Sequence, residues 1–206
     1  MDVAIPVFDR ITALDAIGPY EVLSRLPRTR VHFLALEPGT VRTENGMLAL
    51  CADGTLSSLQ HPDVIVMPGG FGTRALMKDE QVLAWLRTAH ESSQWTTSVC
   101  TGALVLGAAG ILDGLEATTH WLLLEKLGEL GATPVSRRVV EQGKVITAAG
   151  VSSGIDMALT LAARIAGDDM ACAIQLAIEY DPEPPFDSGS TAKASPEVMK
   201  MAQERS

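Results

Sequence analysis

Aromatic residues make up only 4% of this 206-residue chain, and cysteine, histidine and positive charge are sparse as well. The three cysteines, Cys51, Cys100 and Cys172, are odd in number and show neither CxxC nor metal-ligand spacing. That pattern argues against a disulfide framework and for a reducing, cytoplasmic setting. Sixteen Lys and Arg against 25 Asp and Glu give a formal net charge of −9 with no basic cluster. A nucleic-acid-binding face, which has to neutralise phosphates, is therefore not expected. Long apolar runs are also missing. The uncharged stretch from Trp95 to Leu112 is broken by Gly, Thr and Ser and is shorter than the roughly 20 residues that span a bilayer. Met1-Asp2-Val3 leads into an apolar strand without a charged leader or cleavage site, so neither a signal peptide nor a membrane partner is expected.

Hydrophobic residues, by contrast, reach 47%, enough for one sizeable core. Residues 1–180 read as a single domain. The proline-bearing tail, 181–206, changes character at Asp181-Pro182-Glu183-Pro184-Pro185 and regains helical potential only from Pro196 to Gln203. Apolar runs at Asp2–Phe8, Val31–Glu37, Asp63–Met67 and Trp95–Val99 predict strands, with a shorter one at Leu48–Cys51 after the Asn45-Gly46 turn. A hairpin is expected from Val135–Val140 and Lys144–Ala148. Helical stripes lie between them: one carrying Leu14, Ile17, Val22 and Leu26 that Gly18-Pro19 should interrupt, one over Asp79–Glu91, one over Leu122–Leu130. Further helices are expected over Ile155–Ala166, where Ser153 and Asp156 have capping-box spacing, and over Met170–Tyr180 with Asp168 as cap. Strands alternating with helices predict an α/β fold, a mainly parallel sheet covered on both faces.

The segment Thr96-Thr97-Ser98-Val99-Cys100-Thr101-Gly102-Ala103 organises this pattern. An apolar strand runs into a helix with no loop, a nucleophile elbow that pushes the Cys100 side chain outward. The N–H groups of the first helical turn favour a thiolate there, so a lowered thiol pKa is expected. Ligands collect at the carboxyl ends of parallel strands. Gly69-Gly70, Cys100 and Gly150-Val151 each follow such an end, so three separated stretches converge on one pocket, and the paired glycines would let backbone N–H groups approach a ligand.

Thiolate population alone cannot supply an enzymatic rate, so a proton partner is expected as well. His32, His61 and His90 read as surface or packing residues. His120 can face the pocket or be structural. Cys51 and Cys172 read as structural thiols. Asp15 falls at the first strand-to-helix junction, where it is either a helix cap or a carboxyl group facing Cys100. In the second case the two would share one proton, with apparent pKa values belonging to the pair.

Val66-Met67-Pro68-Gly69-Gly70-Phe71-Gly72, Ser98-Val99-Cys100-Thr101-Gly102-Ala103, Ala117-Thr118-Thr119-His120-Trp121 and Ala149-Gly150-Val151-Ser152-Ser153-Gly154-Ile155-Asp156 together resemble the ThiJ/PfpI superfamily over essentially the whole chain. Asp15 within Leu14-Asp15-Ala16-Ile17-Gly18-Pro19, the Cys100-Thr101 pair and the Glu179–Ser190 tail are similar to its isocyanide-hydrating members. The resemblance implies a flavodoxin-like sandwich, a homodimer, no cofactor and no metal. It further implies Cys100 as nucleophile, Asp15 as general acid/base, Thr101 as a neighbouring polar contact and Gly70 lining the pocket through its backbone. The implied substrate is a small organic isocyanide, hydrated to an N-substituted formamide. Deglycase-like relatives often place histidine after the cysteine. Thr101 stands there instead, which weakens that alternative and leaves a carbonyl-directed enzyme or a redox or ligand sensor as competing readings.

Overall fold

In the computed structural model, residues 1–204 are described. The chain begins with β1 (Asp2–Pro6), α1 (Ala13–Leu23) and β2 (Arg30–Ala35). Three short strands follow: β3 (Gly39–Arg42), β4 (Ala49–Ala52) and β5 (Gly54–Thr55). Next come β6 (Val64–Met67), α2 (Thr73–Leu76), α3 (Glu80–Ser92), β7 (Trp95–Val99) and α4 (Gly102–Ala108). β8 (Glu116–Ala117), α5 (Leu124–Glu129), β9 (Thr133–Pro134), β10 (Val139–Gln142) and β11 (Val145–Ala148) precede α6 (Ser153–Ala166), α7 (Asp168–Ala177) and α8 (Pro196–Gln203).

Seven strands form one sheet in the order β10-β11-β7-β6-β1-β2-β5, parallel throughout except for the β10–β11 edge. β6 and β11 are buried along their whole length, as expected of strands covered on both faces. One group of helices, α1, α6 and α7, packs together, and a second gathers around α4. The core runs through Ile5, Ile65, Met67, Leu86, Leu106, Ile146 and Leu161, all fully buried. Apolar strand centres with helices on each side leave no exposed sheet face, so the strand ends are where chemistry can occur.

The structure corrects several sequence expectations. α1 runs straight through Gly18-Pro19. Pro19 forfeits one helical hydrogen bond, but the pair forms the contact with α6: a Cβ on Gly18 would lie 3.1 Å from Ile155, and one on Gly154 would lie 3.4 Å from Pro19. Small residues here let the two helices approach. No capping box forms at α6. Ser153 Oγ donates to the Gly150 carbonyl at 2.8 Å, while Asp156 is held by Arg138 and by the Tyr180 hydroxyl, 2.7 Å away. Asp168 lies in the first turn of α7 and does not cap it, whereas Asp79 does cap α3 by accepting from Gln81 and Val82 N–H. The hairpin before α6 begins at Val139 and turns at Gly143, whose φ of +60° suits glycine.

Sequence patterning did not show β3. It pairs antiparallel with β4 as a separate two-stranded ribbon, turning through Thr43–Leu48 with Gly46 at φ +71°. The ribbon leans against the sheet end through Arg10 N–H to Arg42 O and Glu44 N–H to Ile11 O, at 2.6 and 3.1 Å. Glu44 and Asn45 are thereby carried to the carboxyl edge of the sheet.

Candidate active site

Cys100 stands at the end of β7 with φ +55°, a left-handed conformation that few non-glycine residues adopt. Its N–H bonds to Ala148 and Ala149 carbonyls at 3.1 and 2.7 Å, and Thr119 Oγ1 donates to its carbonyl at 2.8 Å. The following turn must pass tightly under β6. A Cβ on Gly102 would come within 2.0 Å of the Met67 carbonyl oxygen, so only glycine lets α4 begin there. A strained elbow held by surrounding bonds marks a functional corner.

Asp15 is the third residue of α1 and is wholly buried; the N-cap position belongs to Thr12, so the cap alternative does not apply. Its Oδ2 accepts from Gly69 N–H at 2.9 Å. Its Oδ1 is buried without a hydrogen-bond partner of ordinary geometry, beside the Cys100 thiol. An orphaned carboxylate oxygen next to a thiol is a site for a mobile proton.

The other predicted residues divide into framework and lining. Thr101 Oγ1 accepts from Gly70 N–H at 2.8 Å and lies 3.2 Å from both the Gly70 carbonyl and Thr73 Oγ1, so its hydroxyl ties the elbow to the glycine turn. The Gly69 and Gly70 N–H groups, expected to face a ligand, are instead spent on Asp15 and Thr101. Gly69 is required for space: a Cβ would fall 2.5 Å from Thr101 N and 2.8 Å from Asp15 Oδ2. Gly70, at φ +129°, lines the cavity.

That cavity, about 550 Å³, has Cys100, 4% exposed, as its floor. Leu122, Leu123 and Val151 give it apolar wall, and His120 faces it. Gly150 borders a neighbouring cavity of about 460 Å³ that also reaches His120 and Val151. Residues missed from sequence are Arg10, Glu44, Asn45, Phe71 and Arg74 at the mouth, with Gln203 of α8. The ribbon turn delivers Glu44 and Asn45. The turn signal at Asn45-Gly46 was visible, but nothing local said what it would lie against.

The electrostatics reverse the expectation of a lowered thiol pKa. Burial, then the charge of Asp15, push Cys100 up to about 12, against the smaller opposing pull of the Thr101 and Val151 N–H groups. α4 has only seven residues, and its end cannot offset desolvation. Burial likewise raises Asp15 to about 7, despite the Gly69 N–H, with Glu44 adding to the rise. His120 is pushed down by burial and is neutral near pH 7. The pair therefore holds a single proton above about 7 and takes up a second as pH falls through that value. His32, His61 and His90 are engaged with Asp2, Ser92 and Thr96, as packing residues would be. Cys51 and Cys172 are exposed, so the structural reading of these thiols does not hold in the sense of core packing. Among the described residues no cluster of three or more His, Cys, Asp or Glu is placed to hold a metal ion.

Residues 1–164 match the DJ-1/PfpI family. This chain belongs to that family. Among curated relatives, isonitrile hydratase of Pseudomonas putida is 44% identical over 205 residues, covering 100% of this chain and 90% of that protein. The HTH-type transcriptional regulator CdhR of Pseudomonas aeruginosa is 31% identical over 171 residues, 81% of this chain but 50% of the regulator. The crystal structure of a ThiJ/PfpI family protein from Pseudomonas syringae superposes with a TM-score of 0.95 at 34% identity, covering 99% of this chain and 85% of that one. The flavodoxin-like α/β sandwich expected from the sequence is the fold of this DJ-1/PfpI chain. No described helix is long and apolar enough to cross a membrane.

Proposed function

We propose that this DJ-1/PfpI chain is an isocyanide hydratase, converting an organic isocyanide to an N-substituted formamide through a covalent thioimidate on Cys100. The observation that carries the reading is the Cys100 thiol on the cavity floor with the wholly buried Asp15 carboxyl beside it, one carboxyl oxygen held by Gly69 N–H and the other unpartnered. The relative named isonitrile hydratase, alike over nearly its whole length, supports the choice of substrate.

The isocyanide carbon is both electrophile and base. As Cys100 sulfur attacks it, Asp15 takes the thiol proton and passes it to the same carbon, giving R–N=CH–S–Cys100. The substrate thus gains a C–S and a C–H bond. Asp15 carboxylate then deprotonates water, which adds to the thioimidate carbon while nitrogen is protonated. Collapse of the tetrahedral adduct breaks the C–S bond, releases R–NH–CHO and returns the proton to the pair. A thiol held up by burial suits this order, because the proton leaves sulfur only as the new bond forms. It also argues against the redox-sensor reading, since oxidation requires an available thiolate.

Incubation with cyclohexyl isocyanide tests the proposal. N-cyclohexylformamide is expected at catalytic turnover, with formyl deuterium when the reaction runs in D₂O, and absence of formamide from folded protein would overturn it. The singly protonated pair is the reacting form whichever atom carries the proton, so kcat/KM should rise with pH and level off above about 7, where Asp15 ionises. A flat profile between pH 5 and 9 would contradict the assigned pair.

The proposal extends to Thr101 and Gly69 as positioning residues for Asp15 and the elbow, and to Gly70, Gly150 and Val151 as the backbone bordering the substrate. Residues 1–180 form the catalytic domain, and the tail completes its cavity walls through Gly189, Ser190, Thr191 and Gln203. A cytoplasmic homodimer is part of the same reading. Its support is the exposed apolar set of Leu14 on α1 and Met47 and Leu48 on the adjoining ribbon.

A further inference from the structure

The cavity mouth carries two arginines that the hydration chemistry does not use. Arg10 and Arg74 both place their guanidinium groups against the Phe71 ring, 4.7 and 4.1 Å from its centroid. All three residues line the cavity whose floor is Cys100, and both arginine side chains are exposed while the cysteine is buried. Neither guanidinium forms an ion pair or a hydrogen bond among the described residues. Arg25, Arg87, Arg137, Arg138 and Arg164 each have a carboxylate partner, whereas the Arg42 guanidinium bonds only the Gly46 carbonyl and Arg28 and Arg30 form no ion pair among the described residues. Glu44, the carboxylate lining the same cavity, is engaged by Thr12 Oγ1 at 3.3 Å and pairs with neither arginine.

Two cations gathered on one ring repel, and neither is offset by a carboxylate partner. The Phe71 ring holds both by cation–π attraction. Stacking also limits their rotamers, so part of the ordering cost of gripping a ligand is met before it arrives. Guanidinium keeps its charge across the working pH range and matches a carboxylate with paired N–H donors. Between the mouth and Cys100 the wall is apolar, formed by Leu122, Leu123 and Val151.

We infer that Arg10, Phe71 and Arg74 form an anion-recognition site that selects isocyanides bearing a carboxylate at the end opposite the isocyano group. The inference rests on the hydratase reading and adds the substrate class to it. The isocyano carbon sits on Cys100, an apolar or aromatic spacer lies along the leucine wall, and the carboxylate meets the two guanidinium groups. The product is then an N-formyl amino acid in the broad sense, a formamide with a free carboxylate.

The test compares 4-isocyanobenzoate with its methyl ester, which differ in charge but share the reacting group and spacer. The ratio of kcat/KM, acid over ester, is expected to be about tenfold at low ionic strength and to shrink with added salt, as for charges at a solvated rim. In the double variant Arg10→Asn, Arg74→Gln the ratio should fall to about one. Asparagine suits position 10 because it tolerates the left-handed backbone there, φ +64°. A wild-type ratio of one or less, with the ester turned over, overturns the anion site and leaves the hydratase intact. If neither compound is turned over, calorimetric binding of 4-formamidobenzoate against its methyl ester decides the site, and the hydratase reading fails only where cyclohexyl isocyanide is not turned over either. Tighter binding of the acid that disappears in the double variant supports it, and equal or weaker binding overturns it.

Discussion

Asp15→Asn is expected to lower hydration by ~10²–10⁴-fold while making the protein more stable at neutral and alkaline pH. The loss in rate follows from the role of the carboxyl group. An amide cannot take the thiol proton or deliver one to the isocyanide carbon, and general acid–base help is worth that range. The gain in stability follows from burial. The ordinary value for Asp15 is 3.8, and burial raises it to about 7 in the folded protein. Between those values the unfolded chain has released a proton that the native state retains. Each pH unit gained therefore costs the folded state up to about 1.4 kcal/mol. The stability associated with this group is present below pH 4 and lost as pH rises through 7. Asparagine has nearly the same shape, keeps an oxygen for the Gly69 N–H, and carries no charge to desolvate. Urea titrations at pH 4 and pH 8 should show a small difference between wild type and variant at the lower pH and a gain of about 2–4 kcal/mol at the higher. A gain that did not depend on pH would show that Asp15 is not ionising in this environment.

The same residue shows what could and could not be read from the sequence. Its place at a strand-to-helix junction was legible, because parallel α/β topology brings all such junctions to one edge of the sheet. The same topology places the turns after β6, β7 and β11 at that edge, where Gly70, Cys100 and Val151 line the cavity while Gly150 borders its neighbour and Gly69 lies behind the wall. What each group experiences there was not legible. The elbow suggested a thiolate because a helix terminus is a local feature, visible in residues 100–108. Burial and a neighbouring carboxylate are long-range features, and they outweigh it at Cys100. The glycine pair looked like a ligand cradle, yet its N–H groups are engaged by Asp15 and Thr101, a pairing that spans separate elements. β3 escaped for a simpler reason, although its partner β4 was expected over Leu48–Cys51. β3 is four residues long and exposed at all but one of them, so it carries no clear alternation. Since the ribbon turn brings Glu44 and Asn45 to the cavity, missing the pairing also concealed two residues of the mouth.

Cys100→Ala is expected to abolish formamide formation, a loss of at least about 10⁴-fold, because no other group in the cavity can replace the nucleophile. Of the two threonines lining the cavity, Thr101 has its oxygen committed to Gly70 and Thr73, and Thr12 donates to Glu44. A route without a covalent intermediate would use Asp15 alone, protonating the isocyanide carbon while water adds directly. The alanine variant separates the two routes. Under the direct route Asp15 remains in place and turnover should stay within about tenfold of wild type, whereas under the covalent route it vanishes. The fold should persist. Alanine at φ +55° bears much the same backbone strain as cysteine, and the lost sulfur only deepens a cavity that is already open. The thiol also helps to hold down the pKa of Asp15. Its removal should therefore raise the Asp15 midpoint further above about 7, measurable by carbon-13 NMR of the carboxyl group. Cys100→Ser makes the comparison sharper. An alcohol gives up its proton far less readily than a thiol, and Asp15 alone is too weak a base to take it, so serine should behave as alanine does. Acid-quenched wild type caught during turnover should then gain the full mass of the isocyanide, since addition of sulfur and proton to one carbon expels nothing. A serine variant with substantial activity, or a wild type that never carries the added mass, would replace the thioimidate with direct acid-catalysed hydration at Asp15.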